Sequence, residues 1–158
     1  GKPLMKLRFI CAAHKQELTV NTEKALKFCQ DGFDTGQFYN DHLQWKEAIP
    51  HLGCAFEAAE ILLSHSNIDN EVSCDWLATS AQLLALNLYN LQYVSQAEDV
   101  IWMAINRLKE QLVQQPGQVL WMDQYLVLLY AELKIYITVA AKSHPPQVNT
   151  PLSTSLIH

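Results

Sequence analysis

Two pairs of residues in this chain have the spacing of metal ligands. Cys11-x-x-His14 and His51-x-x-Cys54 each set a thiol and an imidazole three positions apart. Zinc takes those ligand types in tetrahedral sets of four. The pairs lie far apart in sequence and nothing else marks a site. Cys54 also lies beside an apolar stripe, where packing explains it, since cysteine buries readily as a small hydrophobe. Glu57 and Glu60, with His51 nearby, could do acid–base or metal chemistry as paired carboxylates. The same spacing describes the solvated face of an amphipathic helix, and no Glu-x-x-His pair accompanies them as a di-iron bundle requires. The chain shows no phosphate-cradling glycine loop and no Ser or Cys nucleophile in a recognisable local context. The expectation is a non-catalytic protein with no metal site and no cofactor.

Any such site would have to be held by helices. Half of the 158 residues are hydrophobic (49%) and only 17% are charged, which is low for a soluble domain and implies helices covered on more than one side. A single domain of this length buries a substantial core without disulfides or metal. The net charge of −5, without a Lys/Arg run, speaks against nucleic acid and against an anionic membrane surface. Cys11, Cys29, Cys54 and Cys74 read as reduced thiols of a cytoplasmic protein, no secretory leader being evident. Residues 1–18 form an N-terminal segment. It reads as partly tag-derived or as the start of an excised domain, because Gly1-Lys2-Pro3-Leu4 precedes Met5. Residues 19–143 form the helical domain. Pro145, Pro146 and Pro151 make 144–158 an extended or mobile tail.

Within 4–16 the apolar residues fit a helix face (Leu4, Leu7, Ile10, Cys11) or a strand face (Leu7, Phe9, Cys11), and the all-helical setting favours the helix. Asn21 or Thr22 caps a helix over 22–40, continuous through Gly32 and Gly36. A second helix covers 44–65, with regular hydrogen bonding from near Glu47 because of Pro50. A third, capped by Asn70 or Ser73, ends near Asn90. A fourth runs over 95–114 and stops at Gln115-Pro116-Gly117. A fifth, over 119–141, is apolar nearly all round. A membrane span is the sharper reading of it, but Asp123, Glu132 and Lys134 interrupt the run.

The helices carry an internal echo. Gly36, Tyr39, Trp45, Ala48, Leu52 and Ala55 reappear 49 residues later as Ala85, Leu88, Val94, Ala97, Ile101 and Ala104. Small residues at the helix crossings and larger ones between them describe two antiparallel hairpins that bury their faces only by stacking. This spacing resembles the tetratricopeptide repeat (TPR) family over about residues 29–108. The period here is longer than that family's roughly 34 residues, its closing proline is absent, and Thr35 stands where an apolar residue is expected. The implied fold is all-α: stacked antiparallel hairpins in a TPR-like right-handed superhelix, with the 119–141 helix as a C-terminal cap instead of a third full copy.

The resemblance implies a protein or peptide partner in a groove lined by the first helix of each hairpin, at Phe33, Gln37, Asn40, Gln82, Leu86 and Tyr89. These positions hold no Lys or Arg, so the carboxylate clamp of some family members is not expected. An apolar and amide-lined groove suits a helix or a leucine-rich peptide. Among the aromatic residues Trp102, Trp121, Tyr125, Tyr130 and Tyr136, core packing accounts for most. The 119–141 helix nevertheless has more apolar surface than its neighbours cover, which predicts a homodimer or a docked partner there, through Trp121, Tyr125, Leu129 and Tyr136. The functional expectation is an adaptor, chaperone or regulatory scaffold. The alternatives are a small-molecule- or metal-binding bundle, enzymatic or not, and a structural assembly subunit.

Overall fold

The computed structural model describes residues 8–65 and 68–143, and among these the chain is helical, with no strand. The elements are α1 (Ala12–Val20), α2 (Thr22–Asp41), α3 (Trp45–Leu63), α4 (Asn70–Asn90), α5 (Val94–Gln114), a 3₁₀ turn (Pro116–Gln118) and α6 (Val119–Ser143). Leu4, Leu7 and the 144–158 tail lie outside the described residues.

Local chemistry sets the helix ends. The Asn21 side chain accepts the Lys24 backbone N–H at 3.1 Å, opening α2, and Asp69 accepts the Glu71 N–H at 2.9 Å, opening α4. Neither Asn70 nor Ser73 is therefore the cap of α4: Asn70 is its first residue, and Ser73 lies one turn inside and is buried. Helix α3 begins at Trp45, and its first ladder bond runs from the Ala48 N–H to the Gln44 carbonyl (3.1 Å), close to the expected onset near Glu47, with Pro50 inside the helix. Pro50 lies close enough to the N-terminus that its missing N–H removes a single bond of the ladder.

The two turns joining α2 to α3 and α4 to α5 are the same structure. At the first, the Gln44 N–H returns to the Tyr39 carbonyl (2.8 Å) and the Leu43 N–H to that of Asn40 (3.0 Å). At the second, Tyr93 returns to Leu88 (2.8 Å) and Gln92 to Tyr89 (2.8 Å). This is the Schellman pair of bonds that closes a helix through one left-handed residue. Leu43 (φ 59°) and Gln92 (φ 70°) hold that conformation, and both are non-glycine.

The helices form two layers. α2, α4 and α6 lie side by side, with α3 packed across α2 and α4 and α5 across α4 and α6. Helix α1 rests on α2 and α3, where it buries Leu18. Between the layers sit Phe56, Leu52, Leu62, Leu84, Ile101 and Leu108, each contributing about 1.5–3 kcal/mol of burial. The echoed small residues all take buried positions: Ala48 and Ala97, Ala55 and Ala104, Gly36 and Ala85. At Gly36 a Cβ would fall 2.5 Å from Leu52 Cγ, and at Gly32 it would fall 2.9 Å from the His51 carbonyl oxygen. The glycines of α2 thus let α3 approach closely without breaking the helix.

Candidate functional site: the open face of α2, α4 and α6

One register, set by the 49-residue repeat, governs all three helices of the first layer. On α4, Ser73, Leu77, Ser80, Leu84 and Asn87 are buried; on α6, the residues 49 positions on, Met122, Leu126, Leu129, Leu133 and Tyr136, are the buried ones. Helix α6 therefore presents to the preceding helices the same side that α4 presents. Helices α2 and α6 close the two ends of the layer and expose several sides, including Lys24, Lys27, Asp31 and Phe38 on α2 and Leu120, Val127 and Lys134 on α6. On α4, subtracting the buried sides and the edges shared with neighbouring helices leaves a single strip. It runs through Val72, Thr79, Leu83 and Leu86 on α4, at steps of seven, four and three. The equivalent strip is Glu23, Gln30, Asp34 and Gln37 on α2, and Trp121, Leu128, Glu132 and Ile135 on α6. None of these twelve side chains is buried.

The strips change character across the layer. The α2 strip is acidic and amide. The α4 strip mixes exposed Val72 and Leu86 with half-buried Thr79 and Leu83. The α6 strip is apolar around a single carboxylate, with Leu128 57% and Ile135 58% exposed. None of the three contains Lys or Arg. Glu132 is half-buried; its Oε2 is shielded from solvent and has no hydrogen-bond partner among the described residues. Burial raises its carboxyl pKa to about 7.

The seams between strips are specific contacts. Phe33 of α2 meets Trp76 of α4 edge-on, ring centroids 5.6 Å apart. The buried Asn87 donates through Nδ2 to Asn40 Oδ1 (3.1 Å) and to the Leu83 carbonyl (2.8 Å). Tyr125 of α6 donates to Asp75 of α4 (3.1 Å), and burial together with the Asp75 charge raises its phenol pKa to about 12. Tyr89 lies against Tyr136 at 5.5 Å. Of the six residues expected to line a groove, Gln37 and Leu86 stand on the open face. Phe33, Asn40 and Tyr89 are drawn into the seams, and Gln82 is half-buried at the register of Phe33.

The interface set on α6 divides by helical phase. Leu129 (0% exposed) and Tyr136 (3%) belong to the chain's own core, while Trp121 and Tyr125 are half-buried and touch each other edge-on. The exposed large apolar residues of α6 are instead Val119, Leu120, Val127, Leu128 and Ile135, with Ile137 and Tyr130 at the edge. Residues 116–142 are long and apolar enough by composition to cross a membrane. Only 22% of their apolar window is buried against the rest of the chain, through the stripe from Met122 to Tyr136, so most of that apolar surface is open.

The residues with chemical potential elsewhere are occupied structurally. His14 meets Phe28 edge-on at 4.7 Å, His51 stacks on Tyr39 at 5.6 Å, and Cys54 Sγ lies 3.7 Å from the Phe9 carbonyl. Among the described residues no group of three or more His, Cys, Asp or Glu is placed to hold a metal. Burial raises the Cys29 and Cys74 pKa values to about 12, so both stay thiols. Glu57 departs from the expected solvated face. It is 3% exposed because Phe9 and Ile10 cross α3 there, and its Oε2 accepts the Phe9 N–H in a short hydrogen bond. Burial raises the pKa of both Glu57 and Glu60.

Two clefts flank the layers. One, of about 650 Å³, lies between the α4–α5 turn and the end of α6, lined by Tyr89, Tyr93, Val94 and Val139 among others. The other, of about 540 Å³, is polar and lies between the start of α4 and the end of α5. Its Gln111 donates to Asn70 Oδ1 at 3.0 Å and accepts from Arg107 at 3.3 Å, which ties the two helix ends together. Comparison of the chain with protein-family models, with curated proteins and with solved structures finds no match.

Proposed function

We propose that this chain is a TPR-like helical-repeat module that binds another protein, non-catalytically, on the open face of α2, α4 and α6. The observation that carries the reading is the shared register. The same 49-residue step that builds identical turns at Leu43 and Gln92 also aligns the accessible strips of α2, α4 and α6. Repeats that stack in one direction create such a continuous surface, and repeat proteins use it for recognition. The α6 strip strengthens the case. Exposed Leu128 and Ile135, beside Leu86 of α4, form apolar surface that the chain's own helices leave open.

Leu86→Asp and Ile135→Asp each put a carboxylate on that face without touching the core. Quantitative affinity capture from the source organism, comparing wild-type with both variants, tests the reading. Proteins retained by the wild type should be lost from both. Retention unchanged in both variants would overturn it.

A further inference from the structure

We propose that the occupant of this face is a short peptide segment of another protein, aliphatic at one end and basic toward the other. Its aliphatic side chains seat on Leu86, Leu128 and Ile135, a Lys or Arg reaches Glu132, and further positive charge lies toward Glu23 and Asp34. This rests on the binding reading above and adds the chemistry of the partner.

The gradient across the three strips sets the polarity. Apolar exposure is concentrated on α6 and the adjoining edge of α4, whereas α2 offers carboxylates and amides. Charge selects the sign. Glu23, Asp34 and Glu132 stand on strips that hold no Lys or Arg, in a chain of net charge −5, and the exposed Lys24 and Lys27 that adjoin the α2 strip are paired with Glu17 and Asp31. A cation in the ligand is the complement of such a surface. Glu132 narrows the position, since its Oε2 is shielded from solvent and has no hydrogen-bond partner among the described residues. A buried polar atom left without a partner is costly, and an ammonium or guanidinium supplies one. The same charges disfavour two other occupants. A second copy would bring like carboxylates together, and an anionic bilayer would be repelled. Neighbouring helices in a layer lie about 8–10 Å apart, so three span on the order of 20 Å. About six extended residues, at roughly 3.3 Å each, cross that distance.

The test is fluorescence anisotropy on the 158-residue chain with three labelled seven-residue peptides. One carries leucines followed by lysines, one leucines followed by glutamates, and one serines followed by lysines. The leucine–lysine peptide is expected to bind at least ten-fold tighter than either of the others. Ile135→Asp, at an exposed position, should weaken it ten-fold or more with unchanged helical circular dichroism. Glu132→Gln should erase most of the lysine-over-glutamate preference while leaving the leucine-over-serine preference. Equal or tighter binding of the glutamate peptide would overturn the proposal, as would indifference to Ile135→Asp. Self-association that Ile135→Asp abolishes would also overturn it, by giving the face to a second copy. If a random peptide library yields binders of another class that both Leu86→Asp and Ile135→Asp abolish, the binding face stands and this partner chemistry falls. If no library binder responds to either variant, both readings fall.

Discussion

Leu43 and Gln92, 49 residues apart, hold the same left-handed backbone, at φ 59° and 70°, in the same turn between successive antiparallel helices. Neither is glycine, although the left-handed region costs a side-chain-bearing residue about 1 kcal/mol or more. The turn is thus repeated by geometry where the residue types differ.

The first prediction follows from that cost. Gln92→Gly removes the steric penalty at a helix end, and Leu43→Gly does so where the leucine is 71% exposed and little packing is lost. Each should stabilise the chain by about 0.5–1 kcal/mol, less the entropy a glycine adds to the unfolded state. Urea unfolding followed by circular dichroism measures it. Destabilisation by both would mean that the left-handed turns are not where the structure places them.

Gly36 gives the opposite sign. Alanine there gains helix propensity of about 1 kcal/mol, yet its Cβ would fall 2.5 Å from Leu52 Cγ and Cδ2. Overpacking in a fitted core costs about 1–3 kcal/mol, so Gly36→Ala should be net destabilising or neutral. A gain approaching the full propensity value would show that α2 and α3 do not meet closely at this crossing. The equivalent Ala85 accommodates its Cβ as native, which makes Ala85→Gly destabilising by roughly 1 kcal/mol through propensity alone.

The all-helical fold, the five longer helices and the repeat step were legible in the sequence, because small residues at helix crossings leave a spacing that survives changes of side chain. The phase of α6 was not. Its residues are apolar nearly all round, so hydrophobicity alone could not separate Leu129, which is buried, from Leu128, which is exposed. Extending the 49-residue step would have separated them. Ser80 and Asn87, the α4 equivalents of Leu129 and Tyr136, hide that extension because they are polar residues buried in a helix. Ser80 satisfies its hydroxyl on the Trp76 carbonyl at 2.7 Å. The accessibility of the six expected groove positions was legible only in part, for a similar reason. A periodic strip of accessible residues is visible in sequence, but Phe33 meeting Trp76 across two helices is a tertiary contact without a local signal. Glu57 also escaped, since nothing near it in sequence announces that Phe9 crosses above it.

Glu132 makes stability depend on pH. A carboxyl whose pKa rises on folding, here to about 7 through burial, binds its proton more tightly in the native chain than in the unfolded one. Its contribution is therefore favourable at low pH and is lost as pH climbs from the ordinary carboxylate range through about 7. Glu132→Gln keeps the shape without the charge. It should stabilise the chain above neutrality, by up to about 3 kcal/mol if the whole shift is expressed, and change little near pH 4. Thermal melts of both proteins across that range check it, and parallel curves would contradict it.

Gly53 controls the N-terminal segment. A Cβ there would fall 2.3–2.4 Å from the ring of Phe9, so Gly53→Ala should lift Phe9 off α3 and remove its N–H from Glu57. Backbone amides around Phe9 and Ile10 should then exchange at least ten-fold faster, with α4 to α6 unchanged. Undiminished protection at Phe9 would show that the segment is not held by this contact.

The proposed binding is confined to one layer of the helical stack. Titration calorimetry of the leucine–lysine peptide against Ile135→Asp and Val113→Asp tests it most directly, since Val113 is 82% exposed on α5, in the other layer. Ile135→Asp should lose at least ten-fold in affinity and Val113→Asp none. Equal loss in both, or loss only in Val113→Asp, would contradict it.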